Sequence, residues 1–115
     1  MKRGNKRKFG RVRKVRTALI KSLATALIEH GRITTTVAKA KTLSSDVSKM
    51  ITAAKKQTLA SQRQLASKLG TKAVSKLMKD VAPQYKDRAG GYTRVIRLPR
   101  RNSDGAEMAI IELVS

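Results

Sequence analysis

Apolar side chains recur at intervals of three and four from Leu19 to Val81 and then in nearly continuous runs from Tyr92 to Val114, so the predicted structure changes once along the chain. In the first part, Leu19, Ile20, Leu23, Ala24 and Leu27 share one helical face, with Lys21, Ser22, Thr25 and Glu29 opposite. Gly31 after His30 predicts the C-terminal cap, because glycine enters the left-handed conformation without a Cβ clash. "RITTT" (32–36) reads as a short strand. Thr36 is placed to cap a second helix whose stripe is Ala40, Leu43, Val47, Met50, Ile51 and Ala54, the most regular pattern in the chain. A polar break over 55–58 precedes a third, shorter helix carrying Leu59, Leu65, Ala66 and Leu69 and closed by Gly70. A fourth follows with Thr71 as its expected cap, Val74, Leu77, Met78 and Val81 facing inward and Pro83 as its stop.

The later runs, "GGYTRVIRLP" (90–99) and "EMAIIELV" (107–114), are rich in β-branched and aromatic residues, and "RRNSDG" (100–105) supplies turn chemistry between them. They predict an antiparallel hairpin, with "RITTT" as a candidate third strand. Neither strand shows the clean alternation of a sheet solvated on one face, and their order is left open. The expected fold class is α+β: a basic N-terminal arm (1–16), then a single globular domain (17–115) of about four helices packed on a small sheet with a C-terminal antiparallel hairpin.

Charge changes this picture most. Twenty-seven Lys and Arg against seven Asp and Glu leave a formal +20 on 115 residues, a self-repulsion that an anionic partner, above all nucleic acid, would relieve. The chain has no cysteine, which removes disulfides and thiolate chemistry and suits a reducing interior. No apolar run approaches the roughly 18 residues of a membrane span, and "TALIKSLATALI" (17–28) is broken by Lys21, so neither membrane insertion nor export is expected. The lack of any acid before Glu29 also fits a mitochondrial transit peptide; against it stand the few serines and an apolar pattern that runs on into a folded domain.

Catalytic chemistry is scarce. His30 is the sole imidazole, at a helix C-terminus where the macrodipole favours it, and no nucleophile or orienting acid stands at recognisable spacing. The seven carboxylates are scattered, which suggests neither a metal centre nor a carboxylate dyad. "RAGGY" lacks the phosphate-loop spacing, and its glycines permit a tight turn into a strand. No catalytic residue, metal, cofactor or small-molecule substrate is expected.

Binding chemistry is abundant. The first sixteen residues hold nine cations and no carboxylate: Lys2, Arg3, Lys6, Arg7, Lys8, Arg11, Arg13, Lys14 and Arg16. A tail kept for solubility is the simpler alternative, but this density without interspersed acids exceeds what solubility needs. Gly4 and Gly10 let the backbone follow an irregular groove, and Phe9 suits base stacking and packing on the protein equally well. A second cluster, Arg94, Arg97, Arg100 and Arg101, flanks the hairpin turn with Tyr92 just before it, and these five complete the candidate RNA-binding set. With three aromatics in all, the chain lacks the stacking platform of an RRM, and it has no zinc-finger or KH signature. Shape and backbone recognition of a folded RNA fits better than base-by-base reading.

"RKFGR" (7–11), "ALI" (18–20) with "LATALIEHGRITTTVAKAK" (23–41), and "PQYKDRAGGYTRVIRLPRR" (83–101) with "DGAEMAIIELV" (104–114) closely resemble the bacterial large-subunit ribosomal protein seventeen family. The resemblance implies a structural rRNA-binding protein of translation, near the mouth of the peptide exit tunnel, touching neighbouring large-subunit proteins and ribosome-bound in the cytoplasm. It implies no catalysis. The chain departs from the family pattern at "RKVR" (13–16), where a Ser-His-Arg run is common. It departs again over 59–78, where a His-Ala-Arg-Arg pattern and a Phe at the position of Met78 are common, so RNA contacts at the third helix are the least secure. Two readings compete: a DNA-compacting architectural protein, disfavoured by the lack of a minor-groove wedge or helix-turn-helix spacing, and an enzyme of unrecognised type, disfavoured by the lack of residues.

Overall fold

The computed structural model describes residues 13–114. Helix α1 (Arg13–His30) ends where Gly31 takes φ +82° and its N–H donates to the Leu27 carbonyl at 2.7 Å. Strand β1 (Arg32–Thr36) runs without a loop into α2 (Val37–Ala54), because extended Thr36 ends the strand and also caps the helix, its hydroxyl accepting from the Lys39 N–H at 3.4 Å. All six residues of the expected α2 stripe are buried, making this helix the centre of the core. Leu27, Ile28, Leu65, Leu69, Leu77 and Ile111 close around it.

Strands β2 (Thr93–Arg97) and β3 (Met108–Leu113) form the expected hairpin, and β1 joins as the third strand. The order is β1-β3-β2, all antiparallel. The C-terminal strand is therefore central. Ile33, Ile111 and Val95 make one cross-strand row against the helices, and Thr34, Ile110 and Ile96 make the next row on the other face. β3 thus carries isoleucine on both faces, which is why its sequence does not alternate.

Several local expectations are corrected. Arg13, Lys14 and Arg16 of the expected basic arm lie in the first turns described of helix α1. Lys2, Arg3, Lys6, Arg7, Lys8 and Arg11, with Gly4, Phe9 and Gly10, lie outside the described residues. Helix α3 (Leu59–Ala66) starts from a capping box of Thr58 and Ser61, which places Leu59 in the first turn and 61% exposed; Ala66 is also exposed, and Leu65 and Leu69 alone carry the packing. Helix α4 (Thr71–Lys76) has Gly70, not Thr71, at its N-cap and no side-chain cap.

Pro83 does not stop the fourth helical run. The run widens into a π turn (Leu77–Val81), in which the Ala82 N–H reaches back to the Leu77 carbonyl, and continues as α5 (Ala82–Gln84). Pro83 has no N–H to donate back into the preceding turn. The Met78 carbonyl instead accepts from the Gln57 side-chain amide at 2.9 Å. Gln57 is the one non-glycine with positive φ among the described residues, at +55°, and the same amide also reaches the Ala54 carbonyl at 3.0 Å. No helix among the described residues is long and apolar enough to cross a membrane.

Candidate nucleic-acid interface

Antiparallel register builds the first basic surface. Arg32, Glu112 and Arg94 are direct partners across β1, β3 and β2, so one carboxylate lies between two guanidinium groups. Arg32 Nη2 donates to Glu112 Oε1 at 2.9 Å, and Arg94 donates to Oε2 through Nε at 3.0 Å and Nη2 at 2.5 Å. Hydrogen bonds from Arg94, aided by the charges of Arg94 and Arg32, hold the Glu112 carboxyl below its ordinary pKa. The Glu112 side chain is only 13% exposed, while both arginines stand in solvent.

The hairpin turn repeats this arrangement. Arg97 and Arg100 lie 3.5 and 3.7 Å from Glu107 Oε1, and Arg101 forms a bidentate pair with Asp104 at 3.0 Å on both arms. Bonds to Arg101 and to the Ala106 N–H hold Asp104 below its ordinary pKa. Arg100 also donates to the Gly105 carbonyl at 3.0 Å, across a turn that Gly105 makes with φ +70°.

Five arginines thus share three carboxylates on a rigid strand scaffold. A guanidinium has five N–H donors and each carboxylate engages one or two, so every arginine keeps donors aimed at solvent. The result is two clusters of guanidinium groups, each held by carboxylates, with donors left over of the kind that suit phosphate oxygens. Three of the seven acids of the sequence, Glu112, Glu107 and Asp104, are the partners that hold these arginines in place. Sequence reasoning missed Arg32 and the role of the acids; only the pairing of β1 with β3 reveals them.

Tyr92 does not belong to this surface. The sequence reading counted it among the RNA-contacting residues, but it is 1% exposed and its ring packs edge-on against Tyr85 at 5.2 Å between centroids. Gly91, at φ +66°, turns the chain inward just before it. Its hydroxyl donates to the Arg88 carbonyl at 3.2 Å and lies 3.4 Å from Thr52 Oγ1 and 3.2 Å from Lys55 Nζ. The Thr52 hydroxyl, with Lys55, lowers the phenol pKa despite burial. The Lys55 ammonium also lies 5.3 Å from the ring centroid and donates to the Arg88 carbonyl. A ring held in this way is a core residue and cannot stack on a base.

Among the remaining candidates, Arg13 and Arg16 border a cleft against α2, and Lys14 is exposed beside them. His30 is exposed at the end of α1, and no group of three or more His, Cys, Asp or Glu converges as a metal site among the described residues.

The model of the family described as ribosomal protein L17 matches residues 19–114. Among curated relatives, the large ribosomal subunit protein bL17 of Persephonella marina is 53% identical over 109 residues, covering 92% of this chain and 88% of its own length. The bL17 proteins of Halalkalibacterium halodurans and Thermoanaerobacter pseudethanolicus are 50% and 49% identical, covering 93% and 94% of this chain and 97% of their own length in each case. Matches of this extent and identity show that the chain belongs to the ribosomal protein L17 family, whose members are structural ribosomal proteins and not enzymes.

Proposed function

We propose that this chain is a structural constituent of the large ribosomal subunit that binds rRNA through phosphate contacts. Its place would be near the mouth of the peptide exit tunnel, against neighbouring large-subunit proteins, and ribosome-bound in the cytoplasm. The observation that carries the RNA reading is a pair of arginine clusters held on carboxylates, Arg32 and Arg94 on Glu112 and, at the hairpin end, Arg97, Arg100 and Arg101 on Glu107 and Asp104. A phosphate approaching either cluster meets guanidinium groups whose rotamers the carboxylates already restrict, so part of the side-chain entropy cost of binding is met beforehand. Exposed arginine–carboxylate pairs are weak in water, and exchanging or sharing a carboxylate for a phosphate oxygen therefore costs little. The residues from Lys2 to Arg11 would extend the same electrostatic contact along the RNA backbone.

The test is binding of the full chain to isolated large-subunit rRNA over a salt series, with duplex DNA as competitor. Affinity should fall linearly in log salt by about 0.7 to 0.9 per phosphate engaged. Replacing Arg97, Arg100 and Arg101 together by alanine should flatten that slope while the thermal transition stays nearly in place. Equal displacement by duplex DNA would favour an architectural DNA-binding protein, and an unchanged slope in the triple variant would remove the hairpin arginines from the interface.

A further inference from the structure

A second basic surface is built where α1 crosses α2. The open cleft there has a volume of about 440 Å³, within the range of ligand-binding clefts. Arg13, Arg16, Thr17, Ile20 and Lys21 face it from α1, at spacings that keep them on one side of a helix. Thr42, Asp46, Lys49 and Met50 face it from α2 at spacings of the same kind, and Ser67 and Lys68 close it from the end of α3. Among the described residues, five cations therefore border one concavity whose wall includes a single carboxylate, Asp46, which is 7% exposed and already engaged.

Here the contrast with the sheet is informative. On the sheet and its hairpin, five arginines are set against three acids, Glu112, Glu107 and Asp104. In the cleft five cations stand against one acid among the described residues, an excess of positive charge that an anion entering between them would relieve. We infer that this cleft is a second seat for the RNA sugar–phosphate backbone, holding phosphate oxygens between Arg13, Arg16, Lys21, Lys49 and Lys68.

The chemistry of the walls narrows the ligand. Thr17, Thr42 and Ser67 add neutral hydroxyl donors suited to phosphate or ribose oxygens. No aromatic residue lines the cleft among the described residues, and their walls offer a phosphate and ribose surface in place of a base-stacking one. Ile20 and Met50 give it an apolar patch against which a ribose packs. This assignment rests on the RNA-binding reading and places contacts on the helical side of the domain as well as on the hairpin.

The experiment compares three full-length proteins: wild type, the cleft variant Lys21→Gln with Lys49→Gln and Lys68→Gln, and the hairpin variant with Arg97, Arg100 and Arg101 changed to Ala. Each is titrated with isolated large-subunit rRNA over a salt series. The cleft variant should lose about 2 in the log–log slope, close to 0.7 for each lysine that engages a phosphate. Amine-directed acylation read by mass spectrometry should also show Lys49 and Lys68 of the wild type protected by naked rRNA, a result independent of how the variant folds. A cleft variant with wild-type slope and affinity, while the hairpin variant loses both, overturns the cleft and leaves the RNA reading intact. Lysines protected within whole subunits but not by naked rRNA would make the occupant a neighbouring acidic protein segment and overturn it too. A wild type whose affinity for rRNA does not respond to salt would defeat the RNA reading itself.

Discussion

Replacing Tyr92 by alanine and by phenylalanine separates a core role from an RNA-facing one, because the two roles predict losses in different assays. The ring is 1% exposed and packs against Tyr85, so its removal leaves a cavity in the middle of the domain. Large aromatic-to-alanine changes in such sites cost about 3 to 5 kcal/mol. That is a large share of the roughly 5 to 15 kcal/mol by which a domain is stable, so the alanine variant should be marginal at growth temperatures. Tyr92→Phe keeps the ring and removes only the hydroxyl, whose contacts at 3.2 to 3.4 Å are long. Lys55 still reaches the Arg88 carbonyl in its absence, so the loss belongs near the low end for a hydrogen bond, about 1 kcal/mol. For a domain of this size that lowers the melting temperature by roughly 4 to 8 °C. Urea and thermal unfolding followed by circular dichroism would measure both effects. Neither variant changes a charge, so the salt slope of RNA binding, taken well below the transition, should match wild type. An alanine variant that unfolds within about 1 kcal/mol of wild type yet binds RNA weakly would refute the core assignment.

Leu43 lies on the buried face of α2 with no exposed surface, and Leu43→Ala should cost about 2 to 5 kcal/mol in urea unfolding; a loss below about half a kcal/mol would mean that the site is solvated. Glu112 and Asp104 both have folded-state pKa values below the ordinary ones, so the unfolded chain binds protons first as pH falls. The stability from their pairs is present above about pH 4 and lost below it, and Glu112→Gln should flatten that acid limb; an unchanged limb would show that the pairing with Arg94 is energetically silent. Deleting residues 2–12 removes six cations without entering α1, so it should flatten the salt dependence of RNA binding and leave the unfolding midpoint nearly unchanged. A truncated protein with the full slope would show that those cations do not meet the RNA.

Much of the helical layer could be read directly. The α2 stripe, the Thr36 cap and the Gly31 stop are local, each decided by spacing within a turn or two or by one residue's conformational range. The hairpin was legible for the same reason, since turn residues stand between two runs of strand-forming side chains. Reading failed where a cap, an irregular turn or a side chain from elsewhere in the chain settled a residue's role. Leu59 looks like a core position by type, but the capping box of Thr58 and Ser61 rotates it into solvent. Pro83 looks like a stop, but the π turn and the Gln57 amide satisfy the backbone around it.

Charge, helix positions and the existence of a hairpin followed from the sequence by itself, because composition and periodicity are properties of the chain alone. Tertiary structure decided which basic residues form a surface. Tyr92 stands beside the hairpin arginines in sequence and was grouped with them, yet Gly91 turns it inward onto Tyr85 and the Lys55 ammonium. Arg32 stands alone in sequence, yet the central position of β3 brings it to Glu112, 80 residues away. Sequence patterns report which face of an element an apolar residue occupies. They do not report which elements meet, because that depends on the one arrangement that buries all the apolar faces together, and the charged groups take their partners from it.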